Sequence, residues 1–145
     1  MSTFLLDVDV LIVLIDPVHV HHDVAQVWFK ATGRRHWGSC SLTGNGGVRI
    51  VSHAKYPNCI GSPGMAADVM ARFCALPGHI FWPDDISALD GNHIDTSRLL
   101  GSSQITDIYL LALANAHGGQ LATFDNRLVV DAVRGGRAAL HLIAN

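Results

Sequence analysis

Short apolar runs alternate with stretches of helical spacing along this chain. Phe4-Leu5-Leu6 is an apolar triplet ending at Asp7 and reads as a first strand. The apolar character continues from Val8 to Ile15 and stops at Asp16-Pro17, because proline disfavours helical backbone in the residue before it. From His22 to Lys30, Val24, Val27 and Trp28 recur at helical spacing, and Gly33 closes the segment. His36 to Leu42 predicts a second strand, Thr43-Gly44-Asn45 a turn or cap, and Val48 to Ser52 a short helix. Pro57 and Pro63 with their neighbouring glycines mark Tyr56 to Gly64 as a loop. An amphipathic helix over Met65 to Leu76 and a third strand over His79 to Trp82 follow. Gln104 to His117 is a long, nearly all-apolar helix ended by Gly118-Gly119. Leu121 to Phe124 is a strand finishing at Asp125, Asn126 to Arg134 reads as helical, and Ala139 to Ile143 is a last strand.

Strands separated by helices require crossover connections, which are right-handed and build a mainly parallel sheet with helices on both faces. The chain shows no repeat, linker or charge block, so residues 1–145 read as a single α/β domain. In such folds ligands sit beyond the carboxyl ends of the strands, where the strand order reverses. Asp7 and Asp125 each end a strand, which is the first pointer to function.

Composition narrows the classes. No apolar run among the 145 residues reaches 18, which argues against a membrane span, and no basic segment precedes an apolar one as in a secretory signal. Cys40, Cys59 and Cys74 are odd in number and never spaced C-x-x-C, so neither a disulfide scaffold nor a zinc site is expected, and a reducing cytoplasm is. A net charge of −2 with ten Lys and Arg gives no global basic field for nucleic acid, although a local patch stays open. All 12 acidic residues are Asp. Any chemistry that needs a carboxylate must therefore use this short side chain.

Three of these aspartates stand out. Asp7 lies between apolar runs, where an unpaired carboxylate costs several kcal/mol or is pushed up in pKa. Asp107 sits in the apolar helix, where its bland reading is an acid favoured by the helix dipole beside a capping Thr106. Asp125 has a bland reading too, as the start of a turn with Asn126. Together, carboxylates at strand ends without cysteine or histidine partners suit a hard cation such as Mg²⁺ or Mn²⁺ acting on a phosphate ester. His19, His21 and His22 at a helix entry are expected to be exposed or locally hydrogen-bonded. Gly44 to Gly47 is no phosphate loop, since no Gly-Lys-Ser/Thr follows. Of the arginines, Arg34 and Arg35 read as solvated, and Arg49 is a weaker candidate for contact with RNA phosphate.

The chain resembles the PIN-domain ribonucleases, specifically the VapC-type toxins of bacterial toxin–antitoxin pairs. The likeness runs through Phe4-Leu5-Leu6-Asp7-Val8-Asp9-Val10-Leu11-Ile12, His19 to His22, and Thr43-Gly44-Asn45-Gly46-Gly47-Val48-Arg49-Ile50. It continues through His79-Ile80-Phe81-Trp82, the stretch from Ile105 to Ala114, and Leu121-Ala122-Thr123-Phe124-Asp125. It implies a PIN-like three-layer α/β/α sandwich and an endoribonuclease of single-stranded RNA using Mg²⁺ or Mn²⁺. It also implies a homodimer neutralised by a cognate antitoxin. Asp7, Asp107 and Asp125 match three of the family's acidic metal-site positions. Two departures lie inside the site: Asp9 stands where Asn, Ser or Thr is usual, and Gly44 stands where the family carries a second acid, Glu. Either Asp9 partly replaces that lost charge, or the domain is impaired and acts by binding alone. Asp7-Val8-Asp9 also matches the first motif of haloacid-dehalogenase-type phosphatases, with Thr43, Lys55 and Asp84-Asp85 as further parts. That alternative leaves Asp107 and Asp125 without a role.

Overall fold

The computed structural model describes residues 2–144. Its centre is a five-stranded, wholly parallel sheet in the order β3-β2-β1-β4-β5. The strands are β1 (Phe4–Leu6), β2 (Trp37–Cys40), β3 (His79–Trp82), β4 (Gln120–Thr123) and β5 (Leu140–Leu142). The helices are α1 (Val8–Ile15), α2 (His22–Ala31), α3 (Ser41–Val51), α4 (Pro63–Cys74) and α5 (Ile105–Ala116).

Side chains alternate across a strand, so neighbours serve opposite faces. Leu5 and Leu121 pack with the α5 residues Ile108, Leu110, Leu111 and Leu113 on one face. Leu6 and Ala122 pack on the other, with α1, Ala25 and Phe29 of α2, Val51 of α3, and Ala66 and Met70 of α4. This is the three-layer sandwich that the alternating pattern predicts. Helix α1 explains its own sequence: Val10 to Ile15 are all buried, so its apolar residues run around the cylinder rather than along one stripe.

The chain leaves β1 toward β2 and β3 on one side, then returns to β4 and β5 on the other. The reversal lies between β1 and β4, paired through Phe4–Gln120, Leu5–Leu121 and Leu6–Ala122. The next residue, Asp7, donates its N–H to the Ala122 carbonyl at 3.2 Å. Both strand-end aspartates thus sit at this switch point, as the sequence pattern suggests.

Two segments differ from expectation. The second strand ends at Cys40 instead of reaching Leu42, and Thr43-Gly44-Asn45 is the first part of α3 rather than a turn. The Thr43 hydroxyl accepts the Cys40 N–H at 3.0 Å and donates to the Cys40 carbonyl at 3.1 Å, which starts the helix directly from the strand. Three glycines in one helix conceal it from propensity, but two of them have packing reasons. A Cβ on Gly46 would lie 3.2 Å from Val8 of α1, and one on Gly47 would lie 2.6 Å from the Met70 methyl of α4. The second difference is Asn126 to Arg134, which holds only a 3-10 turn at Val130–Ala132 and otherwise follows turns.

Asp16 holds the far end of α1. It is buried, and its carboxylate accepts from the Tyr56 hydroxyl, the Asn58 amide at 3.0 Å and the Val18 N–H at 3.0 Å. Burial opposes its charge, but these bonds together hold its pKa below the usual carboxylate value. Asp16→Ala strips Tyr56 and Asn58 of their acceptor and is expected to cost about 1–3 kcal/mol, read from the midpoint of urea unfolding.

Candidate active site

Asp7 is the N-cap of α1. Its Oδ1 accepts the Val10 N–H at 2.7 Å, satisfying one of the donors that every helix start leaves open. Its Oδ2 accepts from the Thr123 hydroxyl at 2.6 Å. Thr123, the last residue of β4, also accepts the Asp125 N–H at 3.0 Å through the same oxygen. One buried hydroxyl therefore ties the first strand-end acid to the backbone of the last. Sequence reading missed Thr123, although its place two residues before an acid at a strand end was a usable signal.

Burial dominates the electrostatics of Asp7. Desolvation raises its pKa from 3.8 to about 7; the Thr123 and Val10 bonds pull it down, and the charges of Asp9 and Asp107 push it up further. Asp107, at the third position of α5, is also raised, first by burial and then by Asp9 and Asp125. Asp107 does lie in the first turn of α5, where the helix dipole favours an acid, but Thr106 is no cap: the N-cap is Gln104, and it makes no side-chain cap bond. Asp125 accepts the Arg127 N–H at 2.9 Å and so does form the ordinary turn, with the Arg127 guanidinium 3.5 Å away.

The four carboxylates thus feel one another: Asp7 with Asp9 and Asp107, and Asp107 with Asp9 and Asp125. Among the described residues, Asp7, Asp9 and Asp107 have no ion pair. Nor do three or more His, Cys or Asp side chains come close enough to hold an ion by themselves. The result is an acidic group whose one cationic partner among the described residues is Arg127, at the Asp125 end, and which forms no closed cage. It fits a hard cation by donor chemistry, most of all Mg²⁺, which keeps several waters and needs few protein carboxylates.

Asp9, Asp107 and Arg49 line one hollow of about 240 Å³, together with Val8, Leu42, Gly46, Ile50 and Thr106. Arg49, proposed from sequence as a weak RNA contact, stands on the rim of this hollow and is exposed. Gly44 lies on the first turns of the same α3, and a Cβ there would meet nothing within 4 Å. The root of a side chain at this position would meet no neighbour.

The remaining candidates stay apart. The His22 Nδ1–H donates to the Val13 carbonyl at 2.7 Å, and His19 Nδ1 accepts the His21 N–H at 3.0 Å, which are local bonds. For the phosphatase alternative, Thr43 is sealed in its capping contacts, Lys55 is absent from the hollow, and Asp84 accepts from Leu42 and Tyr109. Those parts do not assemble around Asp7.

A carboxyl group that is harder to ionise when folded than when unfolded favours the fold while protonated. That contribution is full below the unfolded value near 4 and is lost as pH rises through the folded value near 7. Each pKa unit corresponds to about 1.4 kcal/mol. Urea unfolding of the metal-free protein is thus expected to show stability falling by several kcal/mol between pH 4 and 7, and Asp7→Asn should flatten that slope. An unchanged slope in the variant would place the strain elsewhere.

No family model matches the chain. Curated relatives do. Ribonuclease VapC44 of Mycobacterium tuberculosis is 46% identical over 131 residues, covering 90% of this chain and 92% of that protein. Ribonuclease VapC39 of the same organism is 40% identical, covering 92% and 96%. Ribonuclease VapC38 is 38% identical, covering 83% and 84%. Among solved structures, M. tuberculosis VapC20, a sarcin–ricin loop cleaving toxin, superposes with a TM-score of 0.61 at 10% identity, over 91% of this chain and 97% of that one. This last likeness shows the shared fold. With that PIN fold and relatives at these identities over nearly the whole length, the chain belongs to the VapC family of ribonucleases.

Proposed function

We propose that this chain is the toxin of a toxin–antitoxin pair and hydrolyses phosphodiester bonds in single-stranded RNA at the hollow between α1, α3 and α5. The observation that carries this reading is the electrostatic group at the strand switch point, where the charges of Asp9 and Asp107 raise the pKa of Asp7 and those of Asp9 and Asp125 raise that of Asp107, with only Arg127 beside Asp125 as a cationic partner. Mg²⁺ or Mn²⁺, held by Asp7, Asp107 and Asp125 largely through water, would supply an activated water and offset charge on the departing oxygen.

The chain's own residues do the rest. The Val10 and Thr123 bonds fix the Asp7 carboxylate so that it meets a cation without rearranging. Asp9 adds charge on the hollow side, one helix position into α1. Arg49, which lines the same hollow, would hold a nonbridging phosphate oxygen. Gly44 withholds the acid that this family carries there, so the site binds its cation more weakly than a full set would and turns over slowly. The antitoxin is expected to cover apolar surface that this chain leaves open: Val24 and Val27 on α2 are exposed, as are Val18 and Val20 in the turn that precedes it.

Two measurements test the reading. In a fluorogenic RNA assay with Mn²⁺, Asp107→Asn should lower the rate by at least about a hundredfold, and Gly44→Glu should raise it. Asp9→Asn should abolish what remains if Asp9 stands in for the missing acid; parental activity in that variant would reject the substitution. In calorimetry, Mn²⁺ should bind Gly44→Glu about ten- to a hundredfold more tightly than the parent. For the parent, binding should be weaker at pH 6 than at pH 8, because Asp7 must release its proton first.

A further inference from the structure

A second, larger hollow of about 460 Å³ adjoins the carboxylate site and shares Leu42 and Thr106 with it. Its walls are apolar, from Leu42, Ala88, Ile105 and the Tyr109 ring, and Leu42 and Ile105 are exposed there without a covering side chain. The polar groups on its lining include Asn45 and Asp84. Asp84 is held in place: its Oδ2 accepts the Leu42 N–H at 3.1 Å and its Oδ1 the Tyr109 hydroxyl at 2.7 Å. An ionised carboxylate only accepts, and each oxygen has capacity beyond one bond. The hollow thus offers an apolar slot with two fixed acceptors side by side, directly beside the place where a scissile phosphate would sit.

We propose that this hollow is a base-reading subsite and that Asp84 selects guanine in the nucleotide next to the cleaved bond. The proposal rests on the ribonuclease reading above and deepens it. Among the four RNA bases, guanine alone presents two adjacent donors, N1–H and the N2 amine, on its Watson–Crick edge. Adenine and cytosine each place a ring acceptor beside their amine, which faces the carboxylate unfavourably, and uracil has a single donor between two acceptors. Single-stranded RNA exposes these edges for reading. The Asn45 amide donates as well as accepts and can take guanine O6. The apolar walls supply the stacking surface, which by itself is indifferent to base identity.

The test compares four uridine-rich octamers with one central G, A, C or inosine. Binding is read by fluorescence anisotropy in EDTA, and cut positions in an unstructured RNA are mapped with Mn²⁺. Inosine keeps N1–H and O6 and lacks the N2 amine, so it probes the second donor without altering the protein. The G octamer is expected to bind about ten- to a hundredfold more tightly than A or C. Inosine should lose about tenfold, and cuts should fall next to G. Asp84→Asn should remove the difference between G and inosine, and Ala88→Trp should fill the slot and remove the preference for G. Equal binding of G and inosine, or a G preference that survives Asp84→Asn, overturns the subsite while leaving the nuclease reading in place. Absence of both binding and cleavage for every RNA overturns the two together. A change of oligomeric state on Ala88→Trp in place of a change in base preference shows that a second copy covers the hollow, and overturns the proposal.

Discussion

The fold depends on a carboxylate where apolar packing leaves no comfortable place for one. Asp7 follows the buried Leu5-Leu6 of β1 and caps α1, whose residues from Val10 to Ile15 are all buried, so it has little access to water. It survives because its two oxygens meet two donors, one from the start of α1 and one from Thr123. Those bonds orient α1 on the sheet and join β1 to β4 at their carboxyl ends. They do not restore a fully ionised group, as the pKa near 7 shows. Structure and chemistry are therefore coupled at this residue: the same desolvation that strains the fold raises the value of any positive charge that arrives.

The use of aspartate alone bears on that coupling. An aspartate reaches one methylene less than a glutamate, so each acid is held close to its own backbone: Asp7 at a helix cap, Asp125 in its turn, Asp107 in the first turn of α5. Carboxylates anchored in this way approach without converging, which accounts for their mutual repulsion in the absence of a common cage. Arg49 lines the same hollow and, among the described residues, makes no ion pair, which leaves its guanidinium to an anion.

Much of this was legible in the residues. The alternation of apolar triplets with helical spacing gave a parallel sheet with helices on both faces, and the acids at Leu6-Asp7 and Phe124-Asp125 marked the switch point. Other parts were hidden for physical reasons. Helix α3 carries Gly44, Gly46 and Gly47, which local propensity reads as a turn; the helix exists because Thr43 caps it and because Val8 and Met70 press on it. Asn126 to Arg134 looks helical, yet long-range contacts such as the Asp95 N–H to the Ala132 carbonyl fasten it as turns. The bond from Thr123 to Asp7 spans 116 positions and is invisible to any local pattern. So is the meeting of Asp84 with Tyr109, which only the fold brings together.

The open space beside Gly44 has one more consequence. Packing has not closed over its Cβ position, so the architecture does not oppose the root of a side chain there. Glycine and glutamate codons of matching third base differ at a single nucleotide. Where the Gly44 codon ends in a purine, one nucleotide change would thus place a glutamate on this face of α3, and its Cβ would meet no neighbour.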